Sequence, residues 1–254
     1  MNYGYLVPVP PGLYANEKEL AESVLSMLEP HFHIDTEVPG RYWTGEKVRI
    51  DAVLRPHDPE PWFDENPTFG IEFKLPPDDF ETRTFAEWIA QAVDYSHCTF
   101  EEYGRLAVFL CPSPFNSLMA ALSDHHERLA TTNTFEYQRR LAATLWSIGG
   151  RPEPTEEQIN AEARARQRQE HRRLETIEAG AKAEGFKSAD DRSRKAWLDK
   201  AAFMAHIMGQ LNIGELMPHQ MYGWTLLRTG QRLWSELDGV ARRMGSVRPH
   251  LGSR

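Results

Sequence analysis

The alternation of apolar and polar positions predicts strands in the first half of the chain. Residues 70–76 carry Ile71, Phe73 and Leu75 at every second position, which is the period of a strand with one buried face. Glu72 and Lys74 then point together to the opposite face. Two further strands are predicted at residues 31–38 and 47–56, and the continuous apolar run at residues 106–111 predicts a central strand.

A period near 3.6 residues predicts helices before and between these strands. Asn16 followed by Glu19 resembles a capping box at the start of a helix over residues 17–28, whose apolar face also carries Glu17. A helix over residues 84–97 places Gln91 and Tyr95 one turn apart, next to its apolar face. The order helix, strand, strand, strand, helix, strand predicts an α/β fold with a mixed sheet.

Prolines and glycines mark the predicted connections. Pro39-Gly40 is expected to turn the chain between its first two strands. Residues 55–69 contain four prolines and no period, which predicts a long loop before the Glu72 strand. In this loop Trp62 and Phe63 either stack on nucleic-acid bases or pin the loop to the protein body, and we favour pinning.

The second half of the chain is predicted to be helical. Helices are expected at residues 115–148, at 155–183, from Ser188 to about 211, and once or twice within 214–244. The sequence from Gly149 to Pro154 is the predicted linker between a first region, 1–148, and a second, 149–254. An apolar stripe with near-heptad spacing packs either internally or against a second copy, giving a homo-oligomer; it consists of Trp197, Ala201, Met204, Met208 and Leu211.

Composition narrows the class of protein. The 254 residues are 41% hydrophobic and 26% charged, and no run approaches the roughly 18 apolar residues of a membrane span. The N-terminus has no secretory signal pattern, so we expect a cytoplasmic protein without membrane contact. Cys98 and Cys111 are the two cysteines, too few for a disulfide framework, and are expected to be buried thiols. His31 and His33 have no third partner nearby and are expected at a strand surface.

The net charge of −8 conceals an asymmetry. Residues 1–115 carry 8 Lys and Arg against 20 Asp and Glu, whereas residues 116–254 carry 21 against 17. Within the second half, Arg164, Arg168 and Arg172 recur every fourth residue and could follow DNA phosphates. Glutamates lie among them, which favours a solvated helix with internal ion pairs.

Four groups of residues resemble one known family. They are Glu17 on the first helix, Asp51 among the apolar residues of the second strand, Glu72-x-Lys74, and Gln91-x-x-x-Tyr95. An Asp within an apolar strand already indicates a metal site, because buried Asp needs a partner. Together the groups resemble the PD-(D/E)xK nuclease superfamily, in its branch with RecB-type and lambda-exonuclease-type nucleases.

This resemblance covers roughly residues 15–115. Asp51 follows Ile50 where the family motif has Pro, and 21 residues separate it from Glu72. Relatives with an iron–sulfur cluster need four cysteines and are excluded. The resemblance implies a restriction-endonuclease-like core, a mixed sheet flanked by helices, with a C-terminal helical extension.

The implied activity is hydrolysis of DNA phosphodiesters with Mg²⁺, for which Mn²⁺ can substitute, in phage or bacterial recombination, repair or defence. Asp51, Glu72 and the Phe73 carbonyl would hold the ion, and Glu17 would reach a second ion or a bound water. Lys74 would orient the attacking water or help to deprotonate it. The remaining pair, Gln91 and Tyr95, would contact the scissile region or hold the Lys74 side in place.

An alternative function needs no catalysis. The chain would then be a nuclease-fold module that binds DNA or protein, with its helical half as the working surface. The complete set of Glu17, Asp51, Glu72 and Lys74 favours the nuclease, because a binding module has no chemical need for a Lys two residues after a Glu.

Overall fold

The computed structural model describes residues 7, 9, 12–62, 67–77, 82–119, 134–148 and 154–241. The helices are α1 (Glu17–Leu28), α2 (Thr82–Ser96), α3 (Phe135–Ile148), α4 (Glu156–Ala183) and α5 (Ala189–Leu211). The strands are β1 (Phe32–Arg41), β2 (Lys47–Pro56), β3 (Phe69–Phe73), β4 (Thr99–Phe100), β5 (Ala107–Cys111), β6 (Gly214–His219), β7 (Gly223–Arg228), β8 (Gln231–Ser235) and β9 (Gly239–Val240). Residues 114–119 are also helical.

The strands that the structure describes form one mixed sheet in the order β4-β1-β2-β3-β5-β6-β7-β8-β9. β5 is parallel to both β3 and β6, and the remaining neighbours are antiparallel. The predicted α/β class with a mixed sheet is therefore confirmed. β5 is the predicted central strand, and its unbroken apolar sequence suits a strand with neighbours on both sides.

The chain divides into two compact units. The first comprises Met1–Ala120 and Asp199–Arg254, and the second is Ala121–Leu198. The first unit contains the sheet, and α3 and α4 belong to the second. This division differs from the predicted one at residue 148, because β6 to β9 extend a sheet that begins in the first half of the chain.

The prediction of helices within residues 214–244 is wrong. The chain there forms β6 to β9, each antiparallel to the one before. Thr229 and Gly230 have φ angles of 48° and 71°, a conformation typical of two-residue hairpin turns. Gly223 and Gly239, at the starts of β7 and β9, also have positive φ angles, of 66° and 67°. Glycines at intervals of strand length are the signal that favours hairpins over helices.

β1 continues through Pro39 and Gly40, so the predicted turn at these residues is wrong. Gly40 lies against the Phe100 ring, where a Cβ atom would come within 2.6 Å of Cδ1. The glycine is thus required by close packing inside the strand. The chain turns just after β1, where the Gly45 N–H donates to the Tyr42 carbonyl at 2.8 Å.

The helical predictions for residues 155–211 are confirmed. Thr155 and Gln158 form a reciprocal capping box at the start of α4, and the Ser188 hydroxyl accepts the Asp191 N–H at the start of α5. In α5 the predicted stripe is buried at its centre, at Ala201, Met204 and Met208, which agrees with packing inside the chain. The helix predicted over 115–148 is present at 114–119 and 135–148. The residues between them, and 149–153 of the predicted linker, lie outside the described residues.

Aromatic residues fix the proline-rich loop to the core. Trp62 is 2% exposed, and its ring centroid lies 6.2 Å from that of Phe32 and 6.1 Å from that of Phe69. Pinning is therefore confirmed for Trp62, whereas Phe63 is outside the described residues.

Cys98 and Cys111 are buried free thiols, as predicted. Among the described residues, no helix has the length and apolar character to cross a membrane.

Candidate active site

Asp51 lies where β2 and β3 separate. Their pairing ends with Ala52 opposite Ile71, and the Phe73 N–H, which then has no strand partner in β2, donates to Asp51 Oδ2 at 2.7 Å. A backbone donor inside a protein needs an acceptor, and the carboxylate supplies it. The hydrogen bond fixes the Asp51 carboxylate at the end of β3, because its donor, Phe73, directly follows Glu72 in the sequence.

Glu72 and Lys74 meet, as their spacing predicts. The Lys74 N–H donates to the Cys111 carbonyl at 2.9 Å, which continues the pairing of β3 with β5. The Lys74 ammonium then donates to Glu72 Oε1 at 2.6 Å. The side chains are 12% and 4% exposed, so this ion pair is held within the protein rather than on its surface.

α2 supports the same carboxylate from the side. The Gln91 amide Nε2 donates to Glu72 Oε1 at 2.9 Å and to the Tyr95 hydroxyl at 2.9 Å. Both residues are half-buried, beside the apolar positions Phe85, Trp88, Ile89 and Ala92 that pack α2 onto the protein. Of the two predicted roles for Gln91 and Tyr95, the geometry favours holding the Glu72 and Lys74 pair.

The second oxygen of Glu72 has no hydrogen-bond partner among the described residues. Oε2 is buried and accepts no hydrogen bond from the described residues. A buried carboxylate oxygen without a donor is unfavourable by roughly 1–3 kcal/mol or more. Glu72 therefore presents a free ligand atom in a site where its other oxygen is already held by Lys74 and Gln91.

Glu17 lies at the edge of the site. It lies in the first turn of α1, on the same side as Leu20 and Val24, but it is exposed because the buried positions of this helix begin one turn later, at Leu20. Its Oε1 accepts the Leu75 N–H at 3.4 Å. The Glu17 carboxylate is thus next to the backbone that follows Lys74.

Burial and mutual repulsion set the ionisation of the site. Burial, together with the Asp51 charge, raises the pKa of Glu72 to about 7 against the opposing effect of Lys74. Burial also raises the pKa of Asp51, although its hydrogen bond from Phe73 opposes the rise. For Lys74, burial lowers the pKa, but the hydrogen bond and charge of Glu72 outweigh it, so the pKa is raised. Lys74 is therefore an ammonium at neutral pH.

The donor set fits a hard divalent cation. Within the described ranges, no three His, Cys, Asp or Glu side chains come together as a complete metal site. Mg²⁺ does not require one, because it keeps several waters and binds through one or two carboxylates. Asp51 and Glu72 supply two carboxylates, one of them with an unpaired buried oxygen, and the Phe73 carbonyl is the predicted third oxygen.

A cleft of about 580 Å³ opens beside Asp51. Residues from α1, β1, β2 and β3 line it, including Glu17 and Phe73. It also contains Glu37 and Arg49, which the sequence analysis did not single out. Arg49 precedes Asp51 by two residues, and this short spacing is the signal that could have identified it.

A second cleft, in the second unit, differs in its chemistry. It has a volume of about 620 Å³ and lies along α4 and the first residues of α5. Three of its four carboxylates lie beside basic side chains: Glu170 beside Arg173, Glu175 beside His171, and Glu178 beside Lys182. The cleft beside Asp51 is therefore the stronger candidate for a metal-dependent reaction.

The three predicted DNA-binding arginines belong to the second unit. Arg164, Arg168 and Arg172 are exposed on α4, and none of them forms an ion pair with another described residue. Their neighbours Arg166 and Arg173 do, with Glu162 and Glu170. The helix thus combines internal ion pairs with three arginines whose charge is available.

Comparisons with known proteins give no relative for this chain. No family model matches it, and searches of curated proteins and of solved structures give no significant match. The functional conclusion therefore rests on the positions and charges of Asp51, Glu72 and Lys74.

Proposed function

We propose that the protein is a Mg²⁺-dependent nuclease of the PD-(D/E)xK superfamily that hydrolyses phosphodiester bonds in DNA. One observation carries the proposal: Asp51, Glu72 and Lys74 lie together where β2 and β3 separate, and one Glu72 oxygen there accepts no hydrogen bond from the part of the chain that the structure describes. Structural ion pairs also bury carboxylates, and what distinguishes this pair is a second acidic residue, Asp51, whose charge helps to raise the pKa of Glu72.

The order of elements also supports the proposal. α1, β1, β2, β3, α2 and β5 follow one another along the chain, and the four motif groups fall on α1, β2, the end of β3, and α2. This arrangement is the one expected of a restriction-endonuclease-like core in the branch that carries the Gln-x-x-x-Tyr motif. We extend the proposal to that fold.

Each residue of the site then has a role. Asp51, Glu72 and the Phe73 carbonyl would hold Mg²⁺ or Mn²⁺, which would stabilise the negative charge that builds up during phosphodiester cleavage. Lys74 keeps its proton because its pKa is raised, so it acts as a donor that orients the attacking water or binds a phosphate oxygen. Gln91 keeps Glu72 in position.

Cleavage assays test the nuclease. Linear duplex, circular duplex and single-stranded DNA are incubated with Mg²⁺, with Mn²⁺, or with EDTA. We expect metal-dependent cleavage that falls by at least about 100-fold in Asp51→Asn and Lys74→Ala, because each change removes charge from the reacting centre. The controls are Asp35→Asn on β1 and Lys47→Ala on β2, which change the same residue types outside the site.

The outcomes separate cleanly. Loss of cleavage in the two site variants, with the two controls at the wild-type rate, supports the nuclease, and the preferred substrate reports whether a free DNA end is needed. If the wild type leaves every substrate intact with both metals, or if the site variants cleave like the controls, the nuclease is rejected.

A non-catalytic DNA-binding module is the second candidate. The observation that favours it is the exposed set Arg164, Arg168 and Arg172 without ion pairs. Fluorescence anisotropy with labelled duplex DNA compares a variant with all three changed to Ala against one with the ion-paired Arg166 and Arg173 changed. Under this proposal only the first variant loses affinity, and the salt dependence falls with the three lost phosphate contacts. Binding without cleavage by the wild type would select this candidate.

A further inference from the structure

The cleft beside Asp51 contains an ion pair that the proposed chemistry does not use. The Arg49 guanidinium Nε lies 2.5 Å from Glu37 Oε2, and the two side chains are 66% and 54% exposed. Both residues line the cleft together with Asp51 and Glu17. Arg49 stands two residues before Asp51 on β2, about 6.6 Å along the strand.

The backbone holds Glu37 in an unfavourable conformation at this place. Its φ is 57°, a left-handed value that is uncommon for residues other than glycine and that clusters at functional sites. In the β1–β2 register, Thr36 is opposite Ala52 and Val38 is opposite Ile50, so Glu37 stands at the level of Asp51.

A DNA strand that enters this cleft requires a cation. The lining carries Glu17, Glu22, Glu37 and Asp51 against two basic residues, Lys18 and Arg49. Lys18 is 83% exposed and lies 3.7 Å from Glu22, so its ammonium is held loosely at the rim. A guanidinium presents a planar fork that matches phosphate oxygens, and it is the better suited of the two to a fixed phosphate position.

We propose that Arg49 forms a phosphate-binding subsite for the DNA strand next to the scissile bond, and that Glu37 is the positioning residue that holds the guanidinium before DNA binds. The inference rests on the proposed nuclease function. Exposed ion pairs contribute little free energy, whereas a phosphate accepts two charge-assisted hydrogen bonds from one guanidinium. The Glu37 contact is made by Nε of Arg49, so the terminal nitrogens of the guanidinium can donate to the phosphate when the strand arrives.

Steady-state cleavage kinetics test the subsite. We expect KM for DNA to rise about 10-fold in Arg49→Ala with kcat within about 3-fold of wild type, because the lost contact binds substrate and transition state alike. Arg49→Lys should recover part of this loss, and the salt dependence of binding should fall by about one phosphate contact. The matched control is Arg55→Ala: Arg55 lies on the same strand and pairs with Asp35 of β1 at 3.3 Å, outside the cleft. Equal KM values for Arg49→Ala and wild type, or an equal rise in Arg55→Ala, would overturn the subsite.

Glu37→Gln completes the test as a double-mutant cycle. We expect this change to raise KM about 3-fold in the wild-type background, because the guanidinium is no longer held in place, and to have no effect in Arg49→Ala, because Glu37 acts through Arg49. An effect of the same size in both backgrounds would mean a general charge effect and would overturn the positioning role. Millimolar inorganic phosphate is then added as a competitor for the subsite. If it raises the wild-type KM for DNA as much as Arg49→Ala does, the ligand of the subsite is a free phosphate ion and not a DNA strand.

Failure of the nuclease itself is recognised separately. If the wild type cleaves no DNA, the proposed function fails, and anisotropy with labelled DNA then decides the subsite. Weaker binding by Arg49→Ala than by Arg55→Ala retains the subsite as a DNA-binding element. Equal binding by these two variants, or none by the wild type, overturns it.

Discussion

Two buried glutamates on the same sheet differ in what surrounds them. Glu72 on β3 stands opposite Leu110 of β5, and Leu110 stands opposite Glu215 of β6, so the three residues lie in one register on one face. Both carboxyls are buried, both have a pKa raised to about 7, and each has one oxygen without a hydrogen-bond partner among the described residues.

Their neighbours separate them. Glu215 is hydrogen-bonded to Ser113, and burial alone raises its pKa. Glu72 has Asp51, Lys74 and Gln91 around it, and the charges of Asp51 and Glu17 add to the effect of burial. The raised pKa therefore reports burial at both Glu72 and Glu215. The charged neighbours of Glu72 are what distinguish it as part of a candidate active site. Glu215 is best understood as a buried residue of the sheet without a charged partner among the described residues.

The largest difference is expected in catalysis. Glu72→Gln should lower the cleavage rate by about 1,000-fold, because it removes a charge that would hold the metal ion. Glu215→Gln should stay within about 3-fold of wild type, because nothing at this position touches the reacting groups. Single-turnover cleavage of the preferred DNA measures both. Similar losses in the two variants would break the distinction between the glutamates.

The second difference concerns stability and pH. The folded pKa of Glu215, about 7, lies above the model value of 4.5 for a free Glu, so the folded protein binds the proton more tightly than the unfolded chain. Its stabilising contribution is complete below pH 4.5 and is lost as the pH rises through 7. Glu215→Gln lacks this loss.

Urea unfolding at pH 5 and pH 8 measures the effect. Between these values wild type should lose on the order of 2 kcal/mol of unfolding free energy relative to Glu215→Gln, and the isosteric variant leaves the titration of Glu72 common to both proteins. Parallel pH profiles for the two proteins would mean that burial does not raise the pKa of Glu215 in the fold.

The smallest difference is expected from the hydrogen-bonding partners. Ser113→Ala should lower the free energy of unfolding by about 1–2 kcal/mol, since it leaves buried Glu215 without its partner, and should leave cleavage unchanged. Gln91→Leu should instead lower kcat by about 10-fold, because Glu72 loses a donor that fixes its orientation. Thermal melts and cleavage rates on both variants provide the comparison. Loss of cleavage in Ser113→Ala would mean that Glu215 or its partner takes part in the reaction, which contradicts the distinction between the two glutamates.

Local periodicity explains which residues of the candidate site could be predicted from the sequence. Glu72 and Lys74 are two residues apart on one strand, and Gln91 and Tyr95 are one helical turn apart, so their neighbourhood follows from spacing alone. Asp51 could be singled out because it is an acidic residue in an apolar strand. These three groups are the part of the candidate site that the sequence predicts.

Long-range pairing explains what the sequence missed. Residues 214–240 contain enough apolar positions for helices, and pairing beside β5, together with turns at glycines, makes them strands. Glu215 becomes buried through that pairing, and Arg49 reaches Glu37 only in the register of the β1–β2 hairpin. Neither partner is close in sequence, so no periodicity could bring them together.

Binding of Mn²⁺ tests the central claim most directly. Electron paramagnetic resonance counts free Mn²⁺ during a titration of wild type, Glu72→Gln and Glu215→Gln at pH 7.5, without requiring a substrate. We expect saturable binding by wild type and by Glu215→Gln, and an affinity at least about 10-fold lower in Glu72→Gln. Equal binding by wild type and Glu72→Gln, or no binding by wild type, would contradict the assignment of Asp51 and Glu72 as the metal site.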